Sequence, residues 1–217
     1  MFVIKQATTA DIPLINKLAW NVFPETYKNI LSHEQIEYMM DWMYSIENLH
    51  KQMEEEGHIY YIAYEECEAA GYVSIRQEDT DLFHLEKIYV IPYYQKYHLG
   101  KQLFQQAIKG IKEIHPAPCR MELNVNRNNP ALGFYEHMGM KKVREGDFPI
   151  GNGYYMNDYI MGLDINVYID TDRQVIAITT VIFHAVIGTE RLVASIVFVF
   201  LQKKRESKNT GAIILRC

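Results

Sequence analysis

The sequence predicts an α/β fold, a mixed sheet carrying helices on its faces. Three observations predict it. Through residues 1–165, short runs of aromatic and β-branched residues alternate with segments of helical apolar spacing. Apolar residues make up 48% and charged residues 23%, the balance of a chain able to bury a core. A length of 217 residues suits one domain, or one domain with an appendage, rather than two.

The elements follow in order. Phe2 to Gln6 reads as a strand, and Thr8-Thr9-Ala10-Asp11 opens a helix whose apolar stripe is Ile15, Leu18, Ala19 and Val22. Ser32-His33-Glu34-Gln35 is a second capping box, ahead of the stripe Ile36, Met39, Met40 and Met43. A third helix over Ile46 to Glu55 ends at Gly57. Ile59 to Tyr64 and Gly71 to Arg76 flank the polar turn Glu65 to Glu68 as a hairpin, and Leu82 to Val90 is a strand stopped by Pro92. Gly100 to Ile114 is a helix by its stripe Leu103, Phe104, Ala107, Ile108 and Ile111; Met121 to Val125 is a strand. Asn129 to Met138 is a short helix ended by Gly139, with strands around Lys141 to Arg144 and Tyr154 to Leu163.

Composition changes near residue 165. Residues 1–165 hold 15 basic and 23 acidic side chains, a net of −8, whereas residues 166–217 hold 7 and 4, a net of +3. The expected organisation is therefore a domain over 1–165 and an atypical apolar extension over 166–217. Val175 to Leu201 is long enough to span a bilayer, with Lys203-Lys204-Arg205 behind it, but Glu190-Arg191 argues against a membrane span. Two strands, packed on the sheet or used between subunits of a homodimer, fit its β-branched character better, as does an extension without an evolved role.

The whole chain carries 22 Lys and Arg against 27 Asp and Glu, a formal −5 with pI near 5.9, which disfavours nucleic acid and favours a cationic or small-molecule partner. Cys67, Cys119 and Cys217 lie far apart, so neither a disulfide framework nor a metal site is expected, and a cytoplasmic home is. The N-terminal apolar run meets Lys5 at once, unlike a secretory signal.

The chemistry concentrates in two stretches. In the first, the strand ending Ile88-Tyr89-Val90-Ile91-Pro92 runs through Gln95-Lys96-Tyr97-His98-Leu99-Gly100-Lys101 into a helix start, where unpaired N–H groups and the helix dipole attract phosphate. It is neither a P-loop nor a dinucleotide fingerprint. It resembles the acetyl-CoA loop of the GNAT acetyltransferases, [QR]-x-x-G-x-[GA] after a strand with Val and Pro. Gln95 and Gly100 match, and His98 stands at the first glycine. In the second, Asn128, Ala131, Phe134, Tyr135, Gly139 and Met140 match in register the family's N-x-x-A-x-x-[FL]-Y-x-x-x-G-[FM].

The resemblance covers about residues 1–165 and implies a mixed, mostly antiparallel sheet with helices on both faces. It also implies transfer of acetyl from acetyl-CoA to a primary amine by direct attack, without metal. The blocks Phe23 to Tyr27, Glu37 to Ser45 and Asn157 to Tyr159 look like bacterial PaiA-type polyamine acetyltransferases.

Amine attack needs removal of a proton from a group with pKa about 10.4, then protonation of the leaving thiolate. The resemblance makes Tyr135 that acid and Glu86 the base. It gives the diphosphate to the backbone of Gln95, Lys96, Tyr97, His98, Leu99, Gly100 and Lys101, the thioester carbonyl to N–H groups of Ile88, Tyr89 and Val90, and the pantetheine arm to Asn128. Spacing alone leaves other roles open: Tyr135 as core, Glu86 as a strand carboxylate paired with Lys101 or another cation, and Asn128 as a helix cap. By period two, Glu86 shares a face with His84, Ile88 and Val90, which admits His84 as a proton relay. Tyr27, Tyr38, Trp42 and Tyr44 with Glu25, Glu37 and Asp41 offer a slot for a cationic amine, while Glu54-Glu55-Glu56 reads as a solvated helix end. A non-catalytic acyl-CoA-binding regulatory module is the alternative, His98 having weakened the loop.

Overall fold

The computed structural model describes residues 1–166, so every reading of the extension beyond them lies outside the described residues. The elements are β1 (Phe2–Gln6), α1 (Ile12–Tyr27), α2 (His33–Tyr44), α3 (Ile46–Glu54), β2 (Ile59–Glu65), β3 (Glu68–Asp79), β4 (Leu82–Val90), α4 (Leu99–Ile114), β5 (Cys119–Asn126), α5 (Leu132–His137), β6 (Lys141–Gly151) and β7 (Tyr154–Ile165). Seven strands form one sheet in the order β1-β2-β3-β4-β5-β7-β6. Every neighbouring pair is antiparallel except β4 with β5. The mixed α/β fold expected from the sequence is therefore the observed one.

The caps explain where the first helices begin. Thr8 donates its N–H to Asp11 Oδ2 at 2.8 Å and closes a 3₁₀ turn that leads into α1. Ser32 Oγ accepts the Gln35 N–H at 3.2 Å to start α2. Ser45 Oγ accepts the Asn48 N–H at 3.3 Å to start α3, so one serine both ends α2 and opens its successor.

Two cores lie on opposite faces of the sheet. One packs Leu99, Leu103, Phe104, Ala107 and Ile111 of α4 against Val73, Ile75, Phe83 and Leu85. The other packs Ile12, Ile15 and Phe23 of α1, Met40 of α2 and Leu49 of α3 over Tyr60, Ile62 and Tyr72. Each fully buried Leu, Ile or Phe contributes about 1.5–3 kcal/mol, so the α4 face alone is a substantial anchor.

Three elements differ most from the sequence reading. β6 runs to Gly151 rather than stopping at Arg144 and includes Pro149, which an edge strand tolerates because one row of its N–H groups needs no partner. α5 starts at Leu132 rather than Asn129, because Asn129 Oδ1 accepts the Ala131 N–H at 2.9 Å and holds a turn ahead of it. β3 extends from Glu68 to Asp79, well beyond Gly71 to Arg76, since it is paired on both sides.

Candidate active site

β4 and β5 are paired only over Leu82–His84 with Arg120–Glu122. Beyond that they part, although β3 still holds β4 as far as Val90 and β7 still holds β5 as far as Asn126. Each strand is firmly supported on its outer side, and along the gap alternate N–H and C=O groups have no strand to pair with among the described residues. A cavity of about 1010 Å³ fills the opening, its walls including Leu85 to Val90, Leu123 to Val125 and Asn129 to Ala131. That volume suits a long ligand meeting a second one.

A bulge sits beside the parting. Ser74 pairs with Lys87 and Ile75 with Leu85, which leaves Glu86 as the extra residue of β4. The extra residue reverses the alternation of side chains. Phe83 and Leu85 enter the core under α4 before it, and Ile88 and Val90 do so after it. Glu86 therefore does not share a face with Ile88 and Val90, as unbroken period-two alternation would have had it. It points to the other face with His84, where Arg76 Nε donates to Glu86 Oε1 at 2.8 Å.

Arg76, not Lys101, is thus the partner of Glu86. His84 Nδ1 lies 3.7 Å from Glu78 Oε2 and takes no part in the cavity wall, so the relay suggested for it is not in place. Burial works to raise the Glu86 pKa, but Lys87, His84, His58 and the Arg76 guanidinium outweigh it and hold the carboxyl below the usual range. Glu86 enters the cavity wall as a carboxylate.

At one end of the cavity lie Pro92, Gln95, His98, Gly100 and Lys101. A 3₁₀ turn over Pro92–Tyr97 meets α4 at His98, whose φ of +59° is left-handed. Histidine enters that region more readily than bulkier branched residues, but the conformation costs about 1–2 kcal/mol outside glycine. The helix start then presents the N–H groups of Leu99, Gly100 and Lys101 without intrahelical acceptors. A Cβ on Gly100 would meet Phe134 only at an ordinary 3.5 Å, so packing inside the protein does not demand glycine there.

Of the other residues expected here, Gln95 Nε2 donates to Val90 O at 3.3 Å and ties the turn to β4. The Leu99 side chain is wholly in the core, leaving only its backbone to the site. Lys96 lies over the rings of Tyr93 at 4.8 Å and Tyr97 at 5.1 Å, with neither Lys96 nor Tyr97 in the wall. We expect His98→Gly to raise stability by about 0.5–1 kcal/mol, the relief of strain exceeding glycine's extra unfolded-state entropy. Denaturant midpoints check it, and acetyl-CoA titration of the same variant should show binding tightened several-fold.

The second motif supplies the middle of the cavity. Tyr135 is buried at 9% exposure and lines the wall, and burial, reinforced by the neighbouring Tyr27, raises its pKa. It is a neutral phenol, able to donate. Asn128 is exposed and outside the wall, with its N–H donated to Asn126 Oδ1 at 3.0 Å. Its neighbour Asn129 lines the cavity, its Oδ1 holds the turn ahead of α5, and its Nδ2 also donates to the Tyr27 hydroxyl at 3.3 Å.

Residues 27–156 match the family described as acetyltransferase (GNAT) domain, more than half of the chain. The chain belongs to the GNAT acetyltransferases. Among solved structures, it resembles the PaiA N-acetyltransferase of Thermoplasma acidophilum in complex with coenzyme A, with 24% identity, TM-score 0.62, and coverage of 76% of this chain and 99% of that one. It also resembles the ribosomal-protein-S18-alanine N-acetyltransferase of Escherichia coli, with 18% identity, TM-score 0.58, and coverage of 79% and 98%. A third is the spermidine/spermine N-acetyltransferase SpeG of Vibrio cholerae, with 17% identity, TM-score 0.54, and coverage of 75% and 93%. At these identities the likeness is one of fold.

The GNAT cavity of this chain takes fewer aromatic and acidic groups than its sequence suggested. Only Tyr27 and Glu25 of that set line it. Tyr44 is in the core at 1% exposure, Tyr38 donates its hydroxyl to Ile150 O and stacks with Trp42 at 6.2 Å, and Glu37 faces His33. Glu25 pairs with Lys28, just past the end of α1. Tyr27, Asn129, Arg76 and Lys87 are site or near-site residues that the sequence reading did not assign to the acetyl-transfer step. Among the described residues, no three His, Cys, Asp or Glu side chains gather as metal ligands, and no helix is long and apolar enough to cross a membrane.

Proposed function

We propose that the chain transfers acetyl from acetyl-CoA to a small primary amine by direct attack. The observation that carries this reading is the parting of β4 from β5, with free backbone groups on both lips, a helix start at one end, and Tyr135 and Glu86 in the wall. The pantetheine arm lies in the gap. Its diphosphate meets the N–H groups of the turn from Gln95 to Lys101, and the Lys101 ammonium adds charge attraction. N–H groups of Ile88 to Val90 polarise the thioester carbonyl in a partly dry site. Glu86 takes the amine proton directly or through water, and Tyr135 protonates the sulfur as it leaves.

Cys119 is at the far end of β5 beside Lys112 and outside the wall, which supports direct transfer over an acyl-enzyme. Glu25 and Glu86 in the wall favour a cationic acceptor, and a polyamine is the finer reading, in keeping with the names of the PaiA and SpeG neighbours. The test is thiol release from acetyl-CoA with a panel of polyamines, amino acids and short peptides. Release above the hydrolytic background with at least one amine is expected. Saturable acetyl-CoA binding without release on any of them would make the chain a binding module instead.

A further inference from the structure

Glu86 enters the cavity wall from a place where the strand does not fix its direction. It is the extra residue of a bulge, so no residue of β3 stands opposite it and the ladder does not set where its side chain points. A side chain from β3 does. Arg76 stands opposite His84 in the register, and its guanidinium reaches across the bulge to donate Nε to Glu86 Oε1 at 2.8 Å. The same group donates Nη2 to Glu78 Oε1 at 2.8 Å, so the planar fork is held on both sides. Glu78 Oε2 lies in turn 3.7 Å from His84 Nδ1.

Other titratable groups gather about the carboxylate: Lys87 and His84 on β4, Glu78 on β3, the Tyr60 phenol on β2, and Glu56 and His58 just ahead of β2. Each basic group among them is engaged elsewhere. Lys87 donates to Gln52 Oε1 at 3.0 Å, His58 Nε2 is 3.6 Å from Glu56 Oε2, and His84 faces Glu78. Among the described residues, Arg76 alone forms an ion pair with Glu86. It binds one oxygen of the two. Glu86 Oε2 takes no hydrogen bond from a described residue, yet it is not sealed off, and 19% of the side chain remains exposed.

We infer that Arg76 is a positioning residue for acetyl transfer, holding Glu86 by Oε1 so that Oε2 meets the acceptor amine. The inference rests on the acetyltransferase reading above, with Glu86 as the base. Arg76 is not in the cavity wall, so it acts through Glu86 and not on the substrate. The step it serves is a single proton transfer. An N–H bond of the acceptor ammonium breaks, an O–H bond forms on Glu86 Oε2, and the nitrogen lone pair is freed for the thioester carbon. Glu86 then releases the proton to water, while the guanidinium stays charged throughout.

The guanidinium contributes in two ways. Its fork gives orientation, and a reacting group displaced by about 1 Å can lose about 10²-fold in rate. Its charge helps set the protonation state: burial works against the carboxylate, and the cations around it outweigh that. A lysine supplies the charge without the fork.

Kinetics of the full chain, with an amine that the wild type acetylates, separate the two. Arg76→Gln should lower kcat about ten-fold with the KM for acetyl-CoA unchanged. The acid limb of its kcat profile should move to higher pH, because a carboxyl that loses a neighbouring cation holds its proton more tightly. Arg76→Lys should keep the acid limb near that of the wild type and recover part of kcat. A double-mutant cycle decides between positioning and mere support of the fold. In a Glu86→Gln background, Arg76→Gln should lower kcat no further. An equal fall in both backgrounds would overturn the inference and leave the base in place, as would wild-type kcat and acid limb in Arg76→Gln. Should Arg76→Gln melt early, Arg76→Lys takes its place in the same cycle. Wild-type kcat in Glu86→Gln would remove the base itself and the inference with it. A wild type that turns over no amine would overturn the acetyltransferase reading as well.

Discussion

Tyr135→Phe is expected to lower kcat by about 10²-fold, roughly 2.7 kcal/mol of transition-state stabilisation, with acetyl-CoA affinity unchanged. The split follows from where the phenol sits. Tyr135 is 9% exposed, its ring packs with Phe134 at 5.3 Å, and phenylalanine keeps those contacts. What is lost is one proton donor facing the cavity, which the proposed acid role uses only as negative charge develops on sulfur. Transient kinetics of thiol release, beside calorimetric titration of acetyl-CoA, measure the two quantities separately. An unchanged kcat would remove the acid role; a loss of affinity equal to the loss of rate would make Tyr135 a binding residue instead.

Gly71→Ala is expected to have the largest structural effect. A Cβ there would lie 2.5 Å from Tyr89 O and 3.1 Å from Val90 Cα, with Leu103 Cδ1 behind it at 3.3 Å. The first two contacts are backbone and cannot swing aside. The end of β4 must move, and that end carries the N–H groups assigned to the thioester carbonyl. Overpacking of this kind costs about 1–3 kcal/mol, which for a chain of this size lowers Tm by about 2–4 °C per kcal/mol. Acetyl-CoA affinity should fall about ten-fold or more with it, since a displacement below 1 Å spoils a row of aligned donors. Gly133→Ala is the control, because nothing lies within 4 Å of its added Cβ. Equal melting and binding in the Gly71 and Gly133 variants would show that β4 does not depend on that close approach.

What could be read from the sequence was what local pattern determines. The stripe Leu103, Phe104, Ala107 and Ile111 defines α4 because a helix buries one face, and all four side chains are fully buried. The fold brings the two motifs together: His98, Gly100 and Lys101 lie at one end of a cavity whose wall also holds Tyr135. What escaped is decided by partners remote in sequence. The bulge at Glu86 exists only in the pairing of β3 with β4, and it turns Glu86 to Arg76 instead of Lys101. Asn129, rather than Asn128, lines the cavity, where its Nδ2 meets the Tyr27 hydroxyl, 102 residues earlier in the chain. Arg76 and Lys87 looked like ordinary strand charges, because the elements that set Lys87 against Gln52 and Arg76 against Glu86 are assembled only by the fold.

The account depends on the diphosphate resting on the turn that opens α4. Amide chemical shifts of the full chain, titrated with coenzyme A, test that directly. The largest changes should fall on His98, Leu99, Gly100 and Lys101, with a second group along Ile88 to Val90 on the lip of β4. Saturable binding that leaves those seven amides unmoved, or moves only the exposed ring pair Tyr93 and Tyr97, would place the nucleotide elsewhere and contradict the account.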